Sequence, residues 1–550
     1  MERFPLIALS AIAACAVALG ADWPTQSGSP QRSGWARSEK QLTKDKIGGL
    51  DLLYKYRADN QSVGVHSLTS PIIAGMLITY RGFKEMLVFG GSSDNVYSVD
   101  ADLNRLIWER HFDSKEGKTR AKSAASPCPA ALTASVAMPG SSSATRSFAH
   151  RTTKGQSNTR AGRIAQLTAS GFGRLGTFFA VSSDGYLHLL NTSTGEDLIP
   201  AVKFLPPDSD TSSLNVNDNV VYAATRNHCN GAPNALYALD LASEDQKPVS
   251  FDTGGSGLSG RAGTAIGSDG TVYAQIANGH GATGETYNDT VVALDPKTLA
   301  VKDYFTPPSD ASASNSGAEA EGVTPVVFSS QGKDLIVAGG RDGRLYLLES
   351  ASLGGSDHHT PLSRTEPIAT AGAHGIAQGF QGAFASWQGG DPDTRWIYAS
   401  LSGPPNASSA FSTSNGDAPN GSIVAFRMEQ QNGHHTLHPV WISRDMVSPA
   451  PVATANGLVF ALSTGDPLHE ANPTGKSGEP SSQESGANHA TLYVLDGSTG
   501  KELYGSGDAV TSYSHAGGLA VANGRIYFTT HDNTVYSFGF LKSQPQLTDR

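Results

Sequence analysis

The sequence predicts an all-β fold, an eight-bladed β-propeller of four-stranded antiparallel blades, and three observations predict it. The first is a recurring hairpin, clearest at Asp334 to Ser350 (DLIVAGGRDGRLYLLES), where the β-rich runs 335–338 and 345–348 flank Arg341-Asp342-Gly343. Asp-Gly between apolar runs is a strong hairpin signal, because glycine accepts the positive φ that tight turns need. The second is composition: 61 Gly and 29 Pro with only 16% charged residues fit short strands joined by many turns. The third lies at the two ends of the repeat array. The last repeat, 515–540, has room for three strands, while LDLLYKYR at 50–57 alternates as a strand does. Residues 51–56 are therefore expected to supply the missing outer strand of the eighth blade, closing the ring and leaving no open edge.

Taken in order, the chain opens with Arg3 and the apolar run 6–19, then Ala18-Leu19-Gly20 before Ala21. This reads as a signal peptide over 1–20, too short for a stable membrane span, and it predicts an exported protein, periplasmic or extracellular. Ile12-Ala13-Ala14-Cys15 also fits a lipoprotein box that would anchor the chain through Cys15, although 16–19 stays apolar where a polar tether is expected. No other run is long and apolar enough to span a bilayer. Residues 21–49 form a polar N-terminal extension with Trp23 and Trp35, expected to lie along the propeller surface with its Trp side chains tucked in.

Eight hairpins follow within 50–540. Their first strands are 87–89, 178–181, 220–223, 271–274, 335–338, 396–399, 458–461 and 525–528. Their second strands run to Asp100, Asn191, Asp240, Asp295, Glu349, Phe426, Asp496 and Phe538. Repeats built only of short strands point to a propeller. Trp108 follows Asp100, and Tyr504 follows Asp496, each at the same offset of eight, a spacing that would pack the aromatic between neighbouring blades.

Residues 113–173 break the pattern. They are rich in Ser, Ala, Thr and Arg, and read as a disordered basic insertion between the first two blades. There Lys115, Lys118, Arg120, Lys122, Arg146, Arg151, Lys154, Arg160 and Arg163 face only Asp113 and Glu116. The insertion is either a solvated loop or a tether for an acidic protein, a glycan or an anionic partner. Shorter loops at 403–420 and 465–488 and a tail at 541–550 complete the chain. A net charge of −10 points away from nucleic acid, and a closed ring is expected to be a monomer.

The stretch Asp496 to Tyr504 resembles the repeat of the PQQ-binding-like β-propeller family, and Trp23 to Trp35 resembles the opening of its secreted members. The likeness covers roughly 22–540. It implies either a binding or interaction scaffold, like the outer-membrane assembly propellers, or a PQQ-dependent quinoprotein oxidoreductase acting on an alcohol or sugar. In the second case the resemblance implies PQQ on the propeller axis, stacked on a Trp, with Ca²⁺ held by Glu, Asn and Asp oxygens and a separate Asp as base. The family's adjacent Cys-Cys disulfide is missing, and no catalytic residue carries over. The scaffold reading leads, and no cofactor is assigned.

Residues at the start of each blade's innermost strand should face the central channel. They are His66 and Ser70, Arg261 and Thr264, Glu321 and Thr324, Gln378 and Gln381, Ser448, and His515. They would form either a polar pocket for an anionic group or the wall of a water-filled channel. Cys128 and Cys229 remain after leader removal, and an even pair in an oxidising compartment is a disulfide candidate; two unrelated thiols are the alternative. His434 and His438 share one strand face without a nearby carboxylate, and His358-His359 sits in a loop, so both read as surface histidines and no metal site is assigned.

Overall fold

The computed structural model describes residues 22–63, 66–79, 82–112, 132–139, 176–254, 257–277, 287–308, 322–340, 342–369, 379–391, 394–431, 434–466, 489–515 and 518–541. The leader with Cys15, Cys128, Glu321, Gln378, most of the basic insertion and the end of the tail lie outside them. The fold is an all-β propeller with four-stranded antiparallel blades. Among the described residues its strands form eight sheets: seven carry at least four strands, and one, Thr177–Val181 with Tyr186–Asn191 and Val202–Lys203, carries three, so seven four-stranded blades stand where eight are expected. We number the sheets by their innermost described strands: sheet 1 from Ile72–Thr79, sheet 2 from Thr177–Val181, sheet 3 from Asn215–Asn217, sheet 4 from Ala265–Ile266, sheet 5 from Val326–Ser330, sheet 6 from Gly379–Gln388 (with Val323–Thr324 beside it), sheet 7 from Ala453–Ala455 and sheet 8 from Ala520–Ala522. Asp51–Arg57 joins sheet 8, pairing antiparallel with Thr534–Gly539 from Asp51 opposite Gly539 to Arg57 opposite Thr534.

The hydrophobic core is divided between the sheets, because a strand covered on both faces sends alternate side chains to opposite sides. In sheet 1, Met86 and Val88 pack with Phe178 and Ala180 of sheet 2. Their neighbours Leu87 and Phe89 pack with Phe460 of sheet 7 and Phe528 of sheet 8. The same division recurs from sheet to sheet. Phe179 and Val181 meet Leu214 and Val221 of sheet 3, and Tyr222 meets Ile266 of sheet 4. Tyr273 meets Ile336 of sheet 5, Val337 meets Ile397 of sheet 6, and Tyr398 meets Val459 of sheet 7. Sheets 7, 8 and 1 share one cluster, so the packing returns to its start.

Two expectations need correction. The stretch 132–139, read as part of a disordered insertion, buries Leu132, Ala134, Val136, Ala137 and Met138, and Ala137 bridges Phe179. It occupies the inner side of sheet 2, where that sheet has no fourth strand among the described residues. The N-terminal extension is not a surface strap. Trp23 exchanges two hydrogen bonds with Ile73 of sheet 1, and Met138 N donates to Pro24 O at 2.8 Å beside sheet 2. Thr25 Oγ1 donates to Leu214 O at 2.7 Å, next to sheet 3. Ile266 N, Val327 N and Ser386 N then donate to the carbonyls of Pro30, Gln31 and Ser33, serving sheets 4, 5 and 6. Trp35 bridges Thr454 of sheet 7, and Gly524 N of sheet 8 donates to Glu39 Oε2 at 2.8 Å.

Residues 23–39 thus run in chain order along the inner side of sheets 1 to 7 and end at the first turn of sheet 8. The free edge of an innermost strand faces the axis, so this segment lies across the channel and satisfies backbone groups that would otherwise need water. Arg32 is its pin. The side chain is fully buried, with Nε donating to Thr264 O at 2.9 Å, Nη1 to Thr25 Oγ1 and Gln26 O, and Nη2 to Leu214 O at 3.2 Å. Burial pushes its pKa down to about 9.

Candidate functional site

Beside this axial segment lies a cup with about 480 Å³ of space between atoms, part of it open to solvent. Five sheets and the axial segment build it. Gln26 comes from the segment and 66–70 from the approach to sheet 1; Leu132, Thr133 and Ser135 come from the inner side of sheet 2. Thr211 and Ser213 come from the start of sheet 3, Arg261 precedes sheet 4, and His515 precedes sheet 8.

Among the described residues the lining carries two imidazoles and a guanidinium but no carboxylate. Carboxylates stand directly behind instead. Asp466 Oδ2 is 2.6 Å from His515 Nδ1, and the Asp466 side chain is 5% exposed. This contact makes Nδ1 the donor and turns Nε2 away from Asp466; Nε2 is buried and has no hydrogen-bond partner among the described residues. Asp466 is fixed in turn by Ser448, whose hydroxyl donates to its carbonyl at 3.0 Å, and by Thr464 Oγ1, which accepts from its N–H. On another wall Asp210, fully buried, lies 3.7 Å from Arg261 Nη1 and accepts a hydrogen bond from Asn227 at 2.8 Å.

His66 stands edge-on to His515, ring centroids 6.4 Å apart at 90°. Hydroxyls complete the wall. Ser213 Oγ donates to Gln26 Oε1 and lies 3.2 Å from Ser135 Oγ, while Thr133 and Thr211 hydroxyls are 2.8 Å apart. Ser70 Oγ accepts from Gly518 N at 2.8 Å.

Of the channel residues expected from the sequence, the cup brings together His66, Ser70, Arg261 and His515. Thr264 does not line it: its carbonyl is taken by Arg32 and by Asn215 under the axial segment. Thr324 and Gln381 are buried in sheet 6, and Ser448 acts one step back, through Asp466. Gln26, Thr211, Ser213, Asp210 and Asp466 were not anticipated. No residue pattern around them marks a site; only the fold of the extension over the axis brings Gln26 there. Of the surface histidines, His438 Nε2 lies 2.8 Å from Thr436 Oγ1 and His358 stacks on Tyr304, while the His434 side chain lies outside the described residues.

No protein-family model matches this chain, and no curated protein does. Solved structures do. The quinohemoprotein alcohol dehydrogenase of Comamonas testosteroni is similar at a TM-score of 0.56 and 13% identity, over 96% of this chain and 82% of that one. A second quinohemoprotein alcohol dehydrogenase, from Pseudomonas putida, gives 0.55 and 12% over the same shares, 96% and 82%. A europium-containing methanol dehydrogenase gives 0.56 and 11%, over 94% of this chain and 98% of that one. The chain therefore has the propeller fold of the quinoprotein dehydrogenases, as its resemblance to PQQ-binding-like propellers implies.

Fold is what this likeness establishes, so the site must be judged on its own donors. A quinone held by Ca²⁺ calls for clustered carboxylate and amide oxygens beside a flat aromatic. Among the described residues the cup is lined by neither a carboxylate nor a tryptophan, and no group of three or more His, Cys, Asp or Glu side chains converges. The cup residues do not fit that cofactor.

Proposed function

We propose that this chain is an exported, eight-bladed propeller that works as a binding module, and that it receives its ligand in the axial cup. In this reading Asp51–Arg57 closes the ring as the outer strand of the eighth blade, and the segment 132–139 stands in for the inner strand of the second. Cys229, which is buried, pairs with Cys128 and ties the basic insertion down beside the third blade. The observation that carries the reading is the construction of the cup. His515 and Arg261 are each steered from behind by a buried carboxylate, on rigid sheet ends, and such preorganisation serves recognition.

The test is a thermal-shift screen of the mature chain against small molecules, with PQQ plus Ca²⁺ as one arm. A ligand that binds only the folded state raises the melting temperature by mass action. The rise should be lost in an Arg261→Gln, His515→Phe double variant. Quinone absorbance together with dye reduction by an alcohol or sugar in the PQQ arm would overturn the module reading.

A further inference from the structure

The far mouth of the channel carries a second feature. His66, Arg261 and His515 stand at the entry to inner strands, so the turns that leave those strands lie on the opposite face. Arg395 is on that face. It opens the second strand of sheet 6, Arg395–Ser402, opposite Gln388, the last residue of the inner strand. Arg37 reaches the same side. It lies between Ala36, whose N–H donates to Thr454 O of sheet 7, and Glu39, which holds the first turn of sheet 8 through Gly524 N.

Arg395 is 7% exposed, yet among the described residues its fork of N–H groups finds only neutral acceptors. These are Ser329 O at 3.2 Å and Ser386 Oγ at 3.5 Å, and the head packs on the Phe328 ring, 4.8 Å from its centroid. Buried Arg32 differs, because four oxygens surround it within 3.2 Å. The exposed Arg37 lays its head over Trp35 at 4.6 Å and brings a second positive charge to bear on Arg395. Burial first, and then this repulsion, pull the Arg395 pKa down to about 10. The nearby carboxylates are engaged elsewhere. Glu39 accepts from Gln41 N, Leu42 N and Gly524 N, and Asp391 accepts from Thr394 Oγ1. A buried charge without a counter-ion is costly, and a guanidinium keeps its proton at neutral pH, so the pair calls for an anion.

We propose that Arg37 and Arg395 form an anion site at this mouth, taking a phosphate or carboxylate group between their guanidiniums. The fork of N–H groups on each matches the oxygens of either group. The exposed Arg37 admits the ligand, and Arg395, held by Ser329 O and Phe328, sets its position. The site lies on the face opposite the cup and shares no residue with it, so it stands whether or not the cup binds a ligand.

Calorimetric titration of the full mature chain with inorganic phosphate and with malonate, in chloride buffer of constant ionic strength, tests the idea. At least one of the two should bind saturably, and the tighter identifies the preferred group. Arg37→Gln should weaken that binding roughly tenfold or more, and Arg37→Lys, which keeps the charge without the fork, should fall between. Melting in buffer free of both anions separates this role from a merely structural one. There Arg37→Gln should melt at or above wild type, because it relieves the repulsion on Arg395. Adding the bound anion should then raise the melting temperature of wild type more than that of Arg37→Gln. Saturable binding of neither anion, binding that Arg37→Gln leaves intact, or an Arg37→Gln variant that melts below wild type without added anion each overturns the inference. None of these outcomes touches the cup, which the small-molecule screen with its PQQ arm decides.

Discussion

Trp441 lays its indole on Gly500 of the following sheet, and its Nε1 donates to the Gly497 carbonyl at 3.0 Å. Trp108 repeats the relationship between sheets 1 and 2: it covers Gly195, and its Nε1 donates to Thr192 O at 2.8 Å. In both places an outer-strand tryptophan locks onto the turn of the next sheet, and the glycine beneath it has φ near +70°, +72° at Gly500 and +74° at Gly195. Side-chain-free backbone is needed twice over, for the φ and for the ring.

Gly500→Ala should therefore cost about 2–4 kcal/mol, combining left-handed strain with overpacking against Trp441. Urea unfolding measures it. A control at Gly332, also at positive φ but with open space around it, carries the strain alone and should lose about half as much or less.

Stability should fall between mildly acid and neutral pH because of Glu85. Its carboxyl is pushed up to about 7, first by burial and then by Asp102 and Glu39, against the pull of Arg525 and Asn523. The folded state thus holds this proton more tightly than the unfolded one. The stabilisation is complete below about 4.5, is lost as pH rises to about 7, and amounts to something on the order of 3 kcal/mol. Asp94, raised to about 6 by burial although Ser183 hydrogen-bonds it, acts in the same direction. Glu85→Gln should match wild type near pH 4.5 and exceed it at pH 8, so the melting-temperature difference between the two pH values shrinks without vanishing.

Arg32→Lys should destabilise the fold by about 2–4 kcal/mol, because a single ammonium cannot serve Thr264 O, Gln26 O and Leu214 O in their separate directions, leaving buried carbonyls unpaired. The axial segment should loosen first. Hydrogen exchange at Ile266, Val327 and Ser386, whose amides donate to that segment, should speed up in the variant more than exchange at strand centres such as Val337.

How much of this is legible in the sequence depends on how local the physics is. The hairpins around Asp94, Asp184 and Asp342 are legible, since turn chemistry and period-two alternation act over a few residues. The pairing of Asp51–Arg57 with Thr534–Gly539 is legible because the last repeat is short by one. Trp108 packing on the next sheet follows from its offset, but Trp441 lies beyond an unmarked turn.

The path of residues 23–39 is not legible. A polar, Gly- and Ser-rich stretch carries no periodicity, and an arginine within it reads as surface until the inner ends of sheets 3 and 4 supply Leu214 O and Thr264 O. Val136 and Met138 are hidden in the same way, inside a stretch whose average composition is that of a loop. For the cup, counting inner strands finds His66, Ser70, Arg261 and His515, yet it also selects Thr264 because the covering segment is invisible. Asp466 sits at the start of a Gly- and Pro-rich loop, and only the approach to His515 gives it a role.

The last prediction concerns the seam between the chain's ends. Tyr56 pairs with Val535 and Tyr54 with Ser537, while Tyr54 OH reaches across to Ala101 O of sheet 1 at 3.0 Å. Proline at position 56 removes an N–H from this ladder and resists the strand's backbone, which costs about 3 kcal/mol in regular structure. If the pairing closes the ring, Tyr56→Pro should lower the melting temperature and bare the edge of Thr534–Gly539, an open strand that recruits other chains. Size-exclusion chromatography should then show concentration-dependent self-association that wild type lacks. A Tyr56→Phe control, which keeps every backbone group, should stay monomeric and melt within a few degrees of wild type. A proline variant that melts and elutes like wild type would mean that the ring holds together without its N-terminal strand, and that sheet 8 is complete with three.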